Sequence, residues 1–306
     1  MSISQFPPSA SPSPASSSRL LASSSPSPSP ASSSSSMRLW RPAAQRNLRN
    51  QWSKLSTCRQ QWVAACSGGR AHATSLVNSY LSQKYIPMME FGVLCDMFDI
   101  KKKALKKLFM QQSSYRIKLL SSYKEMVAVV VEMVNASRSL RCYMKTSSGS
   151  LIQFSGSNED SNDAGDCGGI HVFNFWNVSA FEAMAEELVD MFKREIMLKR
   201  LLIMELASLS CEEVPQPVKL SWSAELYNGE FDDLSNCSLY SIEVAEPILP
   251  RLKEDNLVIS FVSQTNQPTA EILQMYLTTW LAEVNIDTHR MDEILAMVGE
   301  EIRVTF

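Results

Sequence analysis

The most regular pattern in the chain runs from Leu105 to Tyr143. Written as heptads, Leu105, Gln112, Leu119, Met126, Met133 and Leu140 fill one seam position, and Leu108, Tyr115, Ser122, Val129, Ala136 and Tyr143 fill the other. Ten of these twelve are apolar or aromatic, which predicts a coiled-coil or long bundle helix over 105–143. Gln112 and Ser122 are the polar exceptions, and such seam residues can set register at a cost in stability. Tyr115 and Tyr143 suit a packed bundle better than an isolated two-stranded rod. Upstream, Leu48, Trp52, Leu55 and Trp62 recur at spacings of four, three and seven. That stripe predicts a first helix from about Ala43 to Ala65, stopped by Gly68-Gly69. From Ser75 to Ile100 the pattern is mixed, and Pro87 interrupts any helix there.

A third helix is expected from Ala180 to about Leu209, its start marked by the capping-box pair Ser179 and Glu182. At 100° per residue, Phe181, Met184, Leu188, Met191, Phe192, Ile196, Leu198, Leu202, Ile203 and Leu206 fall in one broad arc. Glu195 and Lys199 lie inside the same arc, spaced to pair in the favourable order. Burying that pair is costly without further partners, so either the face is half-exposed there, as a rim beside the core, or another chain satisfies it. Two helices close the chain. One follows Pro268 and carries Ile272, Leu273, Tyr276, Leu277, Trp280 and Leu281; the other follows Asp287 as N-cap and carries Met291, Ile294, Leu295, Val298 and Ile302. Residues 147–169 read as a loop or linker, and the stretch after Cys211 is irregular, punctuated by Pro215, Pro217, Pro247 and Pro250, with a short β-like run from Leu257 to Val262.

The fold class that follows is mainly α: a helical bundle or coiled coil, with an irregular segment before two C-terminal helices. It divides into a low-complexity tail (1–36), an N-terminal helical region (37–146), the linker (147–169) and a C-terminal helical region (170–306). The tail is Ser/Pro-rich with almost nothing apolar to bury, so it is expected to be disordered. Its five Ser-Pro steps make Ser11, Ser13, Ser25, Ser27 and Ser29 candidate phosphorylation sites. It is also free of acids and carries Arg19, as an organellar transit peptide would. Met37 follows directly, so initiation there would remove the segment. All three readings stand.

Composition narrows the class. Hydrophobic residues make up 45% of the chain, ample for a core. The longest uninterrupted apolar run, Met126 to Val131, falls far short of the ~20 residues that span a bilayer; a membrane partner is not expected. Seven cysteines are scattered and never spaced Cys-x-x-Cys, which reads as reduced thiols of an intracellular protein. The Asn-x-Ser sequons at Asn135, Asn177 and Asn236 are then chance matches. A net charge of −3 hides an asymmetry: nine basic residues and no carboxylate precede Glu90. This basic front could meet phosphate or an acidic partner, or lie against the acidic body.

Signatures of catalysis are missing. There is no phosphate-binding Gly-x-x-x-x-Gly-Lys loop, no Gly-x-Gly-x-x-Gly and no Gly-x-Ser-x-Gly elbow. His72, His171 and His289 are far apart in sequence, without metal-ligand spacing. No enzyme activity and no cofactor or metal are expected. The acidic clusters Glu159-Asp160 with Asp163 and Asp166, and Glu230 with Asp232 and Asp233, lack the register of a calcium loop and read as solvated loops. Lys101-Lys102-Lys103-Ala-Leu-Lys106-Lys107 fits a nuclear-import or nucleic-acid patch, or simply the wet face of a helix whose seam carries Leu105 and Leu108. Direct nucleic-acid binding is not expected.

Phe173-x-x-Trp176-x4-Phe181, followed by Met191-Phe192-Lys193-Arg194-Glu195-x-x-Leu198-Lys199-Arg200-x4-Glu205-Leu206-Ala207, resembles the signature helix of the cyclin-dependent kinase 2-interacting protein family. Weaker matches keep the family's order: the Trp-bearing first helix, the heptads where that family has its coiled coil, and Tyr276-Leu-x-x-Trp280-Leu281. The Ser/Pro tail, the Pro87-centred stretch and residues 211–266 have no counterpart in that pattern. The resemblance implies a non-enzymatic nuclear adaptor, also cytoplasmic in part. It implies binding to cyclin-dependent kinase complexes in replication and checkpoint signalling, and membership of an AAA+ ATPase assembly in ribosome maturation. The implied partner-binding residues are Phe173, Trp176, Phe181, Met191, Glu195, Lys199, Arg200 and Glu205. Lys199-Arg200-Leu201-Leu202 also has the form of a cyclin-docking motif, though Leu202 on the apolar arc predicts burial. The competing reading is an organellar structural coiled-coil protein with residues 1–36 as a cleaved presequence.

Overall fold

Apolar stripes as long as these cannot stand in water, and the three longest helices bury theirs against one another. A computed structural model describes residues 30–97, 99–144, 152–153, 164–210, 220–252 and 268–306. Among them are six α-helices: α1 (Pro30–Tyr85), α2 (Ile100–Arg138), α3 (Val178–Ala207), α4 (Glu230–Asn236), α5 (Ala270–Ala282) and α6 (Thr288–Ile302). Four two-residue strands form two antiparallel pairs, β1 (Tyr143–Met144) with β2 (Ile152–Gln153) and β3 (Tyr240–Ser241) with β4 (Glu246–Pro247). The fold is mainly α, as the periodicities predict.

α1 and α2 form a long helical hairpin with the most extensive contact in the molecule, and α3 packs along α2. Trp40, Ala44, Leu48, Trp52, Leu55, Trp62, Cys66, Ala73, Leu76 and Tyr80 lie buried along one face of α1. From α2 the core receives Leu119, Tyr123, Met126, Val130 and Met133. The seam residue Gln112 is buried too, and its amide donates to the Ser79 carbonyl at 3.2 Å and to the Gln83 side chain. It therefore ties α2 to one register on α1. A single apolar core runs from Trp40 to Ile302, crossing the whole described chain.

Several boundaries differ from the expectation. α1 does not stop at Gly68-Gly69 but runs through them to Tyr85, and Pro87 sits in the short 3₁₀ turn (Ile86–Met88) that follows. The reason lies far away in sequence. A Cβ at Gly69 would stand 2.7 Å from the Trp280 ring, while Trp280 Nε1 donates to the Cys66 carbonyl at 3.1 Å. The glycine forms the floor of a socket for a tryptophan of α5, and Trp280 burial offsets its poor helix propensity of about 1 kcal/mol. α1 also begins at Pro30, seven residues inside the Ser/Pro tail; the rest of the tail, with Ser11, Ser13, Ser25, Ser27 and Ser29, lies outside the described residues, as do Cys211 and the Leu257–Val262 run. α2 ends at Arg138, so Leu140 is buried beyond the helix and Tyr143 belongs to β1. Two residues of the expected linker, Ile152 and Gln153, pair with β1. α3 starts two residues early: Asn177, not Ser179, is the N-cap, its side chain accepting from Ala180 N at 3.0 Å. Glu182 instead takes a bidentate pair from Arg141, at 2.6 and 2.9 Å. At the C-terminus, Asp287 caps α6 as expected, accepting from Arg290 N at 3.0 Å.

The basic front end is partly used inside the fold. Arg41 donates to the His171 and Val172 carbonyls, Arg49 donates to the Ile302 carbonyl at 3.2 Å, and Arg59 pairs with Asp292 at 2.7 Å.

Candidate functional site

α3 carries most of the residues singled out by sequence, and it sits deeper than a one-faced amphipathic helix. Between Leu188 and Met204 it buries Val189, Met197 and Arg200 as well as most of the predicted arc, Glu195 and Lys199 included, while Leu198 of that arc is half-buried. A helix buried on several faces must satisfy every polar group it carries inside the protein. Two charged clusters do most of this, and among the described residues Arg194 Nε is left buried without a hydrogen bond.

In the first, Glu195 and Lys199 are fully buried with Nζ 3.0 Å from Oε1. Lys199 Nζ donates to the Trp280 carbonyl and stands 4.9 Å from the centroid of the Trp280 ring. Glu195 Oε2 accepts from Asn285 N at 3.1 Å and Asn285 Nδ2 at 3.2 Å. Glu195 Oε1 is close enough to Lys199 for ion pairing, yet it has no hydrogen-bond donor. The pair thus fastens α3 to the end of α5 and the turn before α6. Burial pushes the Glu195 carboxyl above its ordinary value, with Lys199 and the Asn285 donors pulling the other way.

In the second cluster Arg200 Nε donates to Glu230 Oε1 at 2.8 Å, both side chains fully buried. The guanidinium also donates to the Trp222 carbonyl at 2.9 Å and the Ala224 carbonyl at 2.7 Å, and lies 4.5 Å from the centroid of the Trp222 ring. Glu230 in turn accepts from the Tyr123 hydroxyl at 2.7 Å and from Leu226 N at 2.6 Å. Burial, reinforced by the Glu230 charge, holds the Tyr123 hydroxyl well above its usual titration range. The cluster locks α2, α3 and the residue 222–230 segment together. Glu230 was expected in a solvated acidic loop; it is instead a buried counterion at the start of α4. Asp232 remains exposed, and Asp233 accepts from the Tyr227 hydroxyl at 2.8 Å.

The aromatic residues before α3 form a clamp. Phe173 and Trp176 meet Phe181 edge-on at 5.8 and 5.1 Å, and Arg49 lies 5.0 Å from the centroid of the Phe173 ring. Glu301 of α6 accepts from Phe175 N at 2.7 Å and Trp176 N at 3.0 Å, while Gln45 donates to the Val172 carbonyl at 2.8 Å. Of the eight partner-binding candidates, Phe181, Met191, Glu195, Lys199 and Arg200 are buried, while Phe173, Trp176 and Glu205 are half-buried. The structure gathers Phe173, Trp176 and Phe181 in the clamp, and divides the charged residues between two internal networks. In this fold the buried five face the chain itself. Leu202 of the cyclin-docking motif is buried as expected, alongside Lys199 and Arg200.

Among the described residues no group of three or more His, Cys, Asp or Glu side chains is arranged to hold a metal ion, and no helix is long and apolar enough to cross a membrane. A cavity of about 470 Å³ lies between α1 and α6, lined by Arg59, Asp292, Gly299, Arg303 and Phe306.

The sequence reading missed the surface where exposed apolar side chains gather. Met88, Met89, Val93, Leu94 and Met97 are exposed between α1 and α2, and Phe109 and Met110 are exposed on α2. The available signal was the mixed apolar pattern around Pro87 set beside the lysine run. No family model matches the chain, and no curated protein matches it.

Proposed function

We propose that this protein is a non-enzymatic adaptor of the kind the signature-helix resemblance implies. It links cyclin-dependent kinase and replication-checkpoint machinery, and an AAA+ ATPase assembly in ribosome maturation, from the nucleus. The supporting observation is how charge and apolar surface are distributed. Buried charges on α3 are engaged in fastening one helix to the next, which suits a rigid scaffold, while exposed methionines and aromatics cluster at one end of the hairpin, where a monomer gains nothing from them.

Affinity purification of the full chain from cells, read by mass spectrometry, tests this reading. Recovery of a cyclin-dependent kinase and an AAA+ ATPase with the chain is expected, together with nuclear signal from both the full-length chain and one beginning at Met37. Recovery of neither class, or import of the full-length chain into an organelle with loss of its first residues, would overturn it.

A further inference from the structure

We propose that the tip of the α1–α2 hairpin is the docking surface of this adaptor, and that its occupant is an acidic amphipathic helix of a partner protein. The tip is built from two 3₁₀ turns, Ile86–Met88 and Gly92–Leu94, and neither buries a residue. Met88 is 73% exposed, Met89 55%, Val93 92% and Met97 56%, and Met110 on the adjoining turns of α2 is 63% exposed. Methionines on a surface adapt their shape to an incoming apolar face, as helix-binding grooves do. Leaving so many in water has no folding rationale, since burying them elsewhere would be favourable.

Charge selects the occupant. Lys101, Lys102, Lys103, Lys106 and Lys107 are all exposed on the first two turns of α2, and among the described residues none of them has an ion-pair partner. The Lys101 ammonium rests 4.7 Å from the centroid of the Phe91 ring, placing positive charge directly beside the apolar surface. A partner helix with an apolar stripe flanked by carboxylates satisfies both features at once. A second copy of this chain would set lysines against lysines across a two-fold axis. A helix can set its carboxylates opposite the lysines and away from Glu90, Asp96 and Asp99, which stand exposed among the same apolar residues, whereas a uniformly anionic membrane cannot.

This inference rests on the adaptor reading, but its test is separate. The full chain is titrated into fluorescent synthetic helices that share one Leu/Met face and carry an acidic, neutral or basic polar face, with anisotropy as readout. The acidic helix should bind at least about tenfold more tightly than the basic one, and binding should weaken as salt is raised past about 0.1 M, where the screening length falls below about 10 Å. M88S/M89S/V93S should abolish binding without changing the melting temperature, and K101E/K102E/K103E/K106E/K107E should invert the preference towards the basic helix. Equal affinity for all three helices, or acidic-helix binding untouched by either variant, overturns the proposal. So does tip-dependent co-sedimentation with phosphatidylserine vesicles in place of helix binding, or tip-dependent dimerisation. If the tip variants still recover kinase and ATPase from cells while no helix binds, the tip inference fails and the adaptor reading stands.

Discussion

Glu195 and Lys199 occupy the kind of position where one atom's change has a large effect. Removing one member of a buried ion pair strands the other in a medium that cannot solvate it, at a cost of about 3–5 kcal/mol, whereas replacing both is far milder. Glu195→Ala, which also removes the acceptor of both Asn285 bonds, should therefore lower stability by roughly 3 kcal/mol in denaturant melts. The double variant E195Q/K199M should cost at most half of that, reflecting the Trp280 carbonyl that loses its donor. If the single variant melts like the native chain, the pair contributes nothing internally and this account of α3 is wrong. The pH dependence has a definite sign. Burial raises the Glu195 carboxyl, so the folded chain holds that proton more tightly than the unfolded chain does. Its contribution to stability thus falls as pH rises from the ordinary carboxylate range through the raised value. The double variant should lack this component when melts are followed across that window. Cysteines give an independent residue-scale check. Burial pushes the Cys58 and Cys66 thiols up to about 12, and those of Cys142 and Cys237 to about 11, while Cys95 is exposed. Brief iodoacetamide treatment near neutral pH followed by peptide mapping should modify Cys95 and leave those four intact until the chain unfolds.

At the scale of elements, the two glycines of α1 make opposite predictions from adjacent positions. A Cβ at Gly68 would meet only Ser122 Oγ at 3.6 Å, an ordinary contact, whereas at Gly69 it would strike the Trp280 ring at 2.7 Å. Gly68→Ala should stabilise by up to about 1 kcal/mol through helix propensity. Gly69→Ala should destabilise on balance, because displacing a buried indole costs about 1–3 kcal/mol and outweighs the same gain. Thermal melts of the two single variants decide it, and equal shifts in the same direction would count against the socket. The same pair shows where sequence reasoning stops. Heptads placed α2, and the Trp/Leu stripe placed the middle of α1, because both signals are local and periodic. Gly68-Gly69 looked like a stop because its justification, Trp280, lies more than two hundred residues away. Asn177 and Ser179 are both good caps two residues apart, and local chemistry could not choose between them. Glu230 was hidden in a run of acids, and only folding reveals that Arg200 is its counterion. Of the eight candidate positions, Glu195 and Lys199 were legible as unusual, since charges in an apolar arc demand partners; the other six rested on the resemblance. That most of those partners are internal was not legible, because wheel analysis assumes one buried face and α3 has several.

Taken as a whole, the molecule is closed by its last segment. Trp62 Nε1 donates to Glu283 at 2.7 Å, Trp280 to the Cys66 carbonyl at 3.1 Å, and Arg49 to the Ile302 carbonyl at 3.2 Å. Each of these joins α1 to the α5–α6 region, and Glu195 and Glu301 tie that region to α3 and to the aromatic clamp before it. Deleting residues 268–306 would empty the Gly69 socket, leave Trp62 Nε1 without its acceptor, and expose Glu195 and Lys199 on a face otherwise apolar. Loss of the buried Trp280 side chain alone is worth about 3–5 kcal/mol, a large share of the 5–15 kcal/mol that holds a typical domain together. A chain ending at residue 252 is therefore expected to lose its cooperative melt, with helical circular dichroism retained in part but no sharp transition and with exposed-surface dye binding increased. The full chain should show one transition, with tryptophan fluorescence and circular dichroism reporting the same midpoint, because all six tryptophans (Trp40, Trp52, Trp62, Trp176, Trp222 and Trp280) lie in or pack against one core. A truncated chain that still melts sharply within a few degrees of the full protein would show instead that α1, α2 and α3 are self-sufficient. The C-terminal pair would then be an appendage on a finished bundle, free to be contributed to or taken from a partner.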